Sequence, residues 1–250
     1  MFRAGVLALC LLATATLVNV RPSHAEKFAT PWTELHASRV RLIAGQASAA
    51  AHYVAGLEIV LADGWKTYWR MPGDSGVPPN FDWTGSSNLA SATTLFPAPV
   101  QMPEAGGMAI GYKGTVLLPI RIEPKDKTRA VNLKLALEFG VCREICIPAT
   151  ANFELSLAPA ASASLPPEIL AALERVPRTQ ENRRKSDPKL EKATIDRSGP
   201  SPKLLIEVSF PSGAKNADVF VEAPEGLYVP IPKQVAPSGN GSLRFESAIG

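Results

Sequence analysis

Two cysteines separated by three residues, Cys142 and Cys146 in FGVCREICIPA (Phe139 to Ala149), are the residues best placed to do chemistry. Paired thiols can form a disulfide, pass it to a partner, or grip a soft metal ion together. A disulfide needs Cα atoms roughly 4.4–6.8 Å apart, whereas residues i and i+4 of a continuous strand lie about 13 Å apart. If the pair closes, the chain must turn between them. The flanking sequence offers that turn: VNLKLALEF enters and ANFELSL leaves as alternating strands. VCREICIPA is then the turn region, with Cys142 facing Cys146 across the neck of a hairpin or on a short helical turn.

As a staple, a ring of about five residues would contribute roughly 2 kcal/mol, and less in a hairpin that its strands already close. Such a tight loop suits opening and reclosing. Arg143 beside the first thiol favours its thiolate and Glu144 opposes that effect, so either sulfur could attack. Thioredoxin-type chemistry is disfavoured, because the spacing is three residues rather than two and no helical pattern follows Cys146. Zinc is disfavoured as well: beyond the leader the histidines are His36 and His52, neither at ligand spacing from the cysteines. Cu(I) asks for less, since two thiolates suffice and Met71, Met102 or Met108 could add a thioether. No nucleophile elbow, HExxH or phosphate loop is present, and nothing calls for a cofactor.

The compartment follows from the first residues. Arg3, the apolar run Val6 to Val20 and Ser23-His24-Ala25 read as a secretory signal over residues 1–25, with the mature chain starting at Glu26 and Cys10 lost with the leader. The run is shorter than the roughly 18–20 residues of a spanning helix. No later segment is apolar enough to replace it, so the mature chain is expected to be soluble and periplasmic, where disulfides persist. Taking the leader's two arginines, Arg3 and Arg21, from the net charge of +3 leaves about +1, no electrostatic footprint for nucleic acid.

Residues 26–158 read as an all-β, immunoglobulin-like antiparallel sandwich. SRVRLIA, YVAGLEIVL, WKTYWR, SATTLF, VLLPIRI, VNLKLALEF and ANFELSL alternate and are broken by Gly, Pro, Asn and Asp, giving about seven strands. Pro119 inside VLLPIRI predicts an edge strand or a bulge. In DGWKTYWRMPGDSGVPPNFDW, Trp65 and Trp69 share a strand face and are expected to pack inward, beside Tyr68 and Trp83; Asp63-Gly64 and Pro72-Gly73 read as turns. Residues 159–202 read as a linker with a short helix, PEILAALERV, presenting Ile169, Leu170, Leu173 and Val176 on one side and stopped by Pro177. The polar, mostly basic stretch that follows reads as a solvated connector. Alternation returns over 203–250 in LLIEVSF, ADVFVEA, LYVPI and LRFESAI, a second, smaller β unit. It is marginal as a core of its own, and is either incomplete at Gly250 or leans on the first domain.

GVCREICIPA, preceded by GYKGTVLLPI and AGLEIVLADGWKTYWRMPGDSGVPPNFDW, resembles the periplasmic N-terminal domain of the transmembrane thiol:disulfide reductase DsbD. It is most similar to the versions in copper-sensitivity-suppressor reductases of the ScsB type. The resemblance covers roughly Trp32 to Leu157. It implies an immunoglobulin-like domain whose cysteine pair, here Cys142 and Cys146, takes electrons from a membrane module and reduces thioredoxin-fold partners, with Tyr112 and Pro148 in matching flanking positions. The DsbD domain shields its more widely spaced pair with an aromatic cap loop; the corresponding PEAGGM here carries Glu104 and no aromatic. Neither a membrane domain nor a thioredoxin-like domain is read in these residues, so the chain is expected to be a stand-alone relay, a truncated copy or a module supplied by a separate membrane carrier. Three readings follow: a thiol:disulfide interchange module, a Cu(I)-handling module using the same sulfurs, and a non-catalytic adaptor with a stapled hairpin.

Overall fold

A computed structural model describes residues 28–45, 53–104, 107–159, 165–224, 227–237 and 242–249. The expected leader, Cys10 and His52 lie outside the described residues. In chain order the elements are β1 (Thr33–Leu35), β2 (Ser38–Ala44), β3 (Tyr53–Leu61), β4 (Lys66–Gly73), β5 (Asn80–Asp82), β6 (Leu89–Thr94), β7 (Val100–Glu104) and β8 (Gly107–Lys113). They continue with β9 (Thr115–Pro124), β10 (Val131–Cys142), β11 (Cys146–Leu157), α1 (Pro167–Glu174), β12 (Lys189–Asp196), β13 (Lys203–Ser209), β14 (Lys233–Pro237) and β15 (Leu243–Ala248).

Two antiparallel sheets form the sandwich, in the orders β1-β2-β3-β9-β6 and β11-β10-β4-β8-β7, with β5 also paired to β10. Their facing side chains make the core. On β10, Val131, Leu133, Leu135, Leu137, Phe139 and Val141 are all at most 2% exposed, and they meet Leu57, Ile59, Leu118, Ile120 and Ile122 of β3 and β9. The sequence alternation predicts this directly. The mostly β, sandwich character of the chain is as expected, with more strands than the seven read from the sequence: β1, β5, β7 and β8 are additional. Trp69 is buried, and Trp65 and Trp83 pack against the same core. Pro72-Gly73 is the end of β4 beyond an irregularity in its pairing with β8, rather than a free turn.

Pro119 lies in an interior strand, since β9 runs between β3 and β6 with no register shift at that residue. The expected edge or bulge is therefore corrected. Within an antiparallel strand the N and O of one residue point to the same neighbour. Pro119 O accepts from Leu95 N at 2.7 Å on the β6 side, just past the end of β6. The missing N–H thus falls where the neighbouring ladder has already stopped.

Helix α1 is placed by packing. Ile169 is fully buried and Ala172 nearly so, in a cluster with Ile43, Val54 and Leu117 on the outer face of the first sheet. Leu170, expected on that apolar side, is exposed, and Leu173 is partly buried. The helix ends at Glu174, ahead of Pro177.

The third sheet has the order β12-β13-β15-β14. Its strand β12 lies within the stretch read as a solvated connector; almost every residue on it is exposed, so no alternation betrays it. Conversely, ADVFVEA and LYVPI, read as strands, make no ladder. Val219 and Val221 pack toward Ile206, Val208 and Phe245 of the third sheet, while Phe220 between them packs on the sandwich core. The smaller unit leans on the first domain through this extended segment.

Replacing Ile169 by Ala should lower stability by about 2–5 kcal/mol. The measurement is the denaturant midpoint of the oxidised protein, and an unchanged midpoint would show that α1 is peripheral to the sandwich.

Candidate functional site

Alternation along β10 sends Val141 into the core and Cys142 to the opposite face. Odd-numbered residues of β10 are core residues, and even-numbered ones such as Asn132, Lys134 and Glu138 are exposed. Cys142 shares their face yet is 1% exposed, because Tyr68 of β4, Met102 of β7 and Ala109 of β8 form a small apolar cluster over it. Gly140 leaves room for this cover: a Cβ there would stand 3.1 Å from Val77 and 3.2 Å from the Tyr68 ring.

The ladder of β10 with β11 runs without a break from Val131↔Leu157 to Cys142↔Cys146. The two cysteines are directly opposed, their Cα atoms are 4.1 Å apart, and they are joined as a disulfide. Of the two expected geometries the hairpin is found, with only Arg143, Glu144 and Ile145 at its tip and the Arg143 N–H donating to Ile145 O. Cys142 also pairs with Lys66 at the start of β4. The sulfurs are inequivalent: Cys142 is enclosed, whereas Cys146 is exposed. A cleft of about 470 Å³ opens beside them, lined by Lys66, Ser75, Pro103, Glu104 and the hairpin tip.

A polar network fills the inner wall of the cleft. The Tyr68 hydroxyl donates to Glu104 Oε1 at 2.9 Å and lies 3.1 Å from Cys146 Sγ. Lys66 Nζ is 2.7 Å from the same Oε1, and the two side chains are only 10% and 11% exposed. Ser75 donates to Glu104 Oε2. Burial alone would raise the Glu104 pKa, but hydrogen bonds from Lys66, Ser75 and Tyr68, with the Lys66 charge, outweigh it and hold the carboxyl below its usual range. Tyr68 moves the other way, pushed up first by burial, then by its hydrogen bond to Glu104 and the negative charge there. At neutral pH the wall therefore presents an anionic carboxylate and a neutral phenol.

A disulfide sulfur carries no proton, so in this state the phenol's hydrogen goes to the stronger acceptor, the carboxylate. A reduced Cys146 would carry an S–H able to donate to the Tyr68 oxygen. Sulfur, phenol and carboxylate then form an unbroken path for a proton.

Of the residues named from the sequence, Cys142 and Cys146 are brought together. Pro148 lies on β11 opposite Gly140, two residues past Cys146. Tyr112 is buried on the core side of β8, its hydroxyl donating to Pro97 O at 2.8 Å, away from the sulfurs. Met102 packs with Cys142; Met71 packs against the sandwich core instead, and His36 stacks edge-on with Trp65. Sequence reading noted Tyr68 only as an aromatic and Glu104 only as the absence of one, and it passed over Lys66 and Ser75. Parity held part of the signal, because Tyr68 next to core-facing Trp69 must lie on the outer face, as Cys142 does.

Residues 39–158 match the family model described as thiol:disulfide interchange protein DsbD, N-terminal. These residues belong to the DsbD N-terminal domain family. The matched segment holds both cysteines, Tyr68 and Glu104. The crystal structure of the N-terminal periplasmic domain of ScsB from Proteus mirabilis is similar in fold, with a TM-score of 0.64 and 24% identity, covering 90% of this chain and 85% of that one. No curated protein sequence matches the chain. In this domain Glu104 is held at the cleft by Lys66 and Ser75.

Glu104→Gln leaves Lys66 buried without its counter-charge and should cost about 2–4 kcal/mol at pH 7. The folded carboxyl titrates below the unfolded one, so its contribution is present above about pH 4.3 and disappears as pH falls through the folded value. Denaturation curves of the wild type and E104Q should converge on acidification; a gap that persisted to about pH 2 would exclude the charge as its source.

Proposed function

We propose that this chain is a periplasmic thiol:disulfide interchange module in which Cys142 and Cys146 are the redox couple. The observation that carries this reading is the asymmetry of the sulfurs, one exposed beside an open cleft and in contact with a hydrogen-bonded phenol, the other enclosed behind it. A disulfide serving only as a staple adds little at the end of an already continuous ladder.

In the reduced protein Cys146 is the attacking sulfur. Its proton passes to the Tyr68 oxygen as the Tyr68 proton moves to Glu104, and the resulting thiolate displaces one sulfur of a partner disulfide, forming a mixed disulfide at Cys146. The partner's leaving thiolate takes up a proton. Cys142, deprotonated in turn, attacks Cys146 Sγ, restores the intramolecular disulfide and releases the partner's second sulfur. Two electrons and two protons have then passed to the partner. The same steps reversed describe recharging by an upstream dithiol.

The partners are thioredoxin-fold proteins downstream and a membrane electron carrier upstream, as the family implies. Among the described residues no helix is long and apolar enough to cross a membrane. A second reading, Cu(I) handling by the reduced pair, draws on Met102, which packs with Cys142 and supplies a third soft donor nearby. Anaerobic Cu(I) titration of the reduced wild type and Met102→Leu tests it, a one-to-one complex weakened in the variant being the supporting result.

Cys142→Ala should accumulate a mixed disulfide with a thioredoxin-fold partner through Cys146, and Cys146→Ala should not. In the reduced wild type, alkylation should modify Cys146 at least about tenfold faster than Cys142. Equal trapping by both variants, or no exchange by the wild type, would overturn the assignment.

A further inference from the structure

Among the described residues, four side chains of the segment joining β13 to β14 meet the sandwich through a ring or a polar group. Phe220 lies 5.9 Å from the Trp69 ring, Glu222 pairs with Arg70, Asp218 accepts from Gln101 Nε2 at 2.9 Å, and the Tyr228 hydroxyl donates to Asp74. Three of these are anchoring contacts on the body of the sandwich. The fourth falls on a loop that leads into the exchange site.

Asp74 clamps the start of β8. Its carboxylate accepts from Met108 N at 2.8 Å while its own N–H donates to Met108 O at 3.0 Å. It lies so close over Gly107 that any Cβ there would collide with the carboxylate, and Gly107 holds φ at +140°, where other residues are strained. Gly107 and Met108 are the residues of β8 that pair with Glu104 and Pro103 of β7. The next residue in the loop, Ser75, donates to Glu104 itself. Tyr228 thus connects through Asp74 to Glu104 by two routes, one through the β7–β8 ladder and one through Ser75, and Glu104 meets the Tyr68 hydroxyl that touches Cys146.

We propose that Tyr228, carried by the smaller unit, is a positioning residue for thiol:disulfide exchange: by holding Asp74 against the start of β8 it fixes Glu104 where it can take the Cys146 proton through Tyr68. This rests on the exchange function proposed above. It assigns the smaller unit a part in the chemistry of a site it does not line.

The test uses the full chain and the reaction of the reduced protein with a small aromatic disulfide, followed from pH 3 to 9. Tyr228→Phe removes one hydroxyl from a half-exposed side chain and should leave the fold and thermal midpoint unchanged. It should slow exchange about three- to tenfold at pH 6 and move the acid limb of the profile to higher pH, as Glu104 loses support. The other groups facing Glu104 are unchanged in this variant: Lys66 and Tyr68 from β4, Ser75 from the loop, and Arg143 and Glu144 of the tip lining the same cleft. Asp74→Asn should give the same displacement, and the double variant no more than either alone. A wild-type profile for Tyr228→Phe, or additive losses in the double variant, would overturn the proposal. Glu104→Gln separates the two levels: if it slows exchange while Tyr228→Phe does not, only the positioning role fails, and if it too leaves the profile unchanged, the proton path itself is wrong.

Discussion

Side chains on a strand alternate between its faces, and the site depends on Cys142 coming one residue after Val141. The long apolar face of β10 fixes the strand's register against the rest of the sandwich, since a slip of one residue would turn its buried leucines and valines out to water. That same register forces Cys142 onto the outer face and, through the unbroken ladder with β11, sets Cys146 directly opposite it. The disulfide is therefore placed by the core, although it is not part of the core. Its opening removes one cross-link at the end of a ladder whose hydrogen bonds and buried side chains hold the hairpin independently.

Outside the core, covering a sulfur requires a second set of contacts. An aromatic cap would supply them with apolar area alone. This chain covers Cys142 with Tyr68, Met102 and Ala109 and walls the cleft with a lysine and a glutamate. Enclosing two charges is costly unless they are paired and their remaining hydrogen-bonding groups are occupied. Glu104 meets that condition, with Lys66 and Tyr68 at one oxygen and Ser75 at the other. An apolar wall of the same shape would protect the sulfurs equally well but could not accept a proton. The expense of the ion pair is intelligible if the wall takes part in exchange.

Where a side chain met the sandwich core, the sequence was readable: β3, β9 and β10 announce themselves by alternation, and the opposed cysteines follow from two strands converging on a short turn. The rest escaped for identifiable reasons. β7 and β8 carry Pro103, Gly107 and Gly111, residues that normally argue against a strand. β12 is an edge strand exposed on both faces, so its residues are free to be charged. Pro119 was misplaced because a proline in an interior strand is tolerated where the adjoining strand has ended, a fact about the neighbour and not about the proline. Glu104 and Lys66 could not have been joined from the sequence, since their contact depends on β4, β7 and β8 lying side by side.

The segment ADVFVEA shows a different limit of alternation as a signal. Period-two hydrophobicity records that one face of an extended chain is buried, and a continuous apolar run that both are; neither records whether the backbone is paired. Here Val219 and Val221 face one core and Phe220 the other, so the extended, two-sided burial is real while the ladder is absent. The fully packed residues of the third sheet, Ile206, Val208 and Phe245, are too few to hold a β unit by themselves. Burying Phe220 and Ile231 against the sandwich adds the missing apolar area, and it does so with a segment whose backbone is not committed to a sheet. A chain attached by side chains alone can be anchored at chosen points, and one of those points, Tyr228 on Asp74, lies on the loop that supports Glu104. One contact of the smaller unit is in this way linked, through Asp74 and Ser75, to the wall of the cleft.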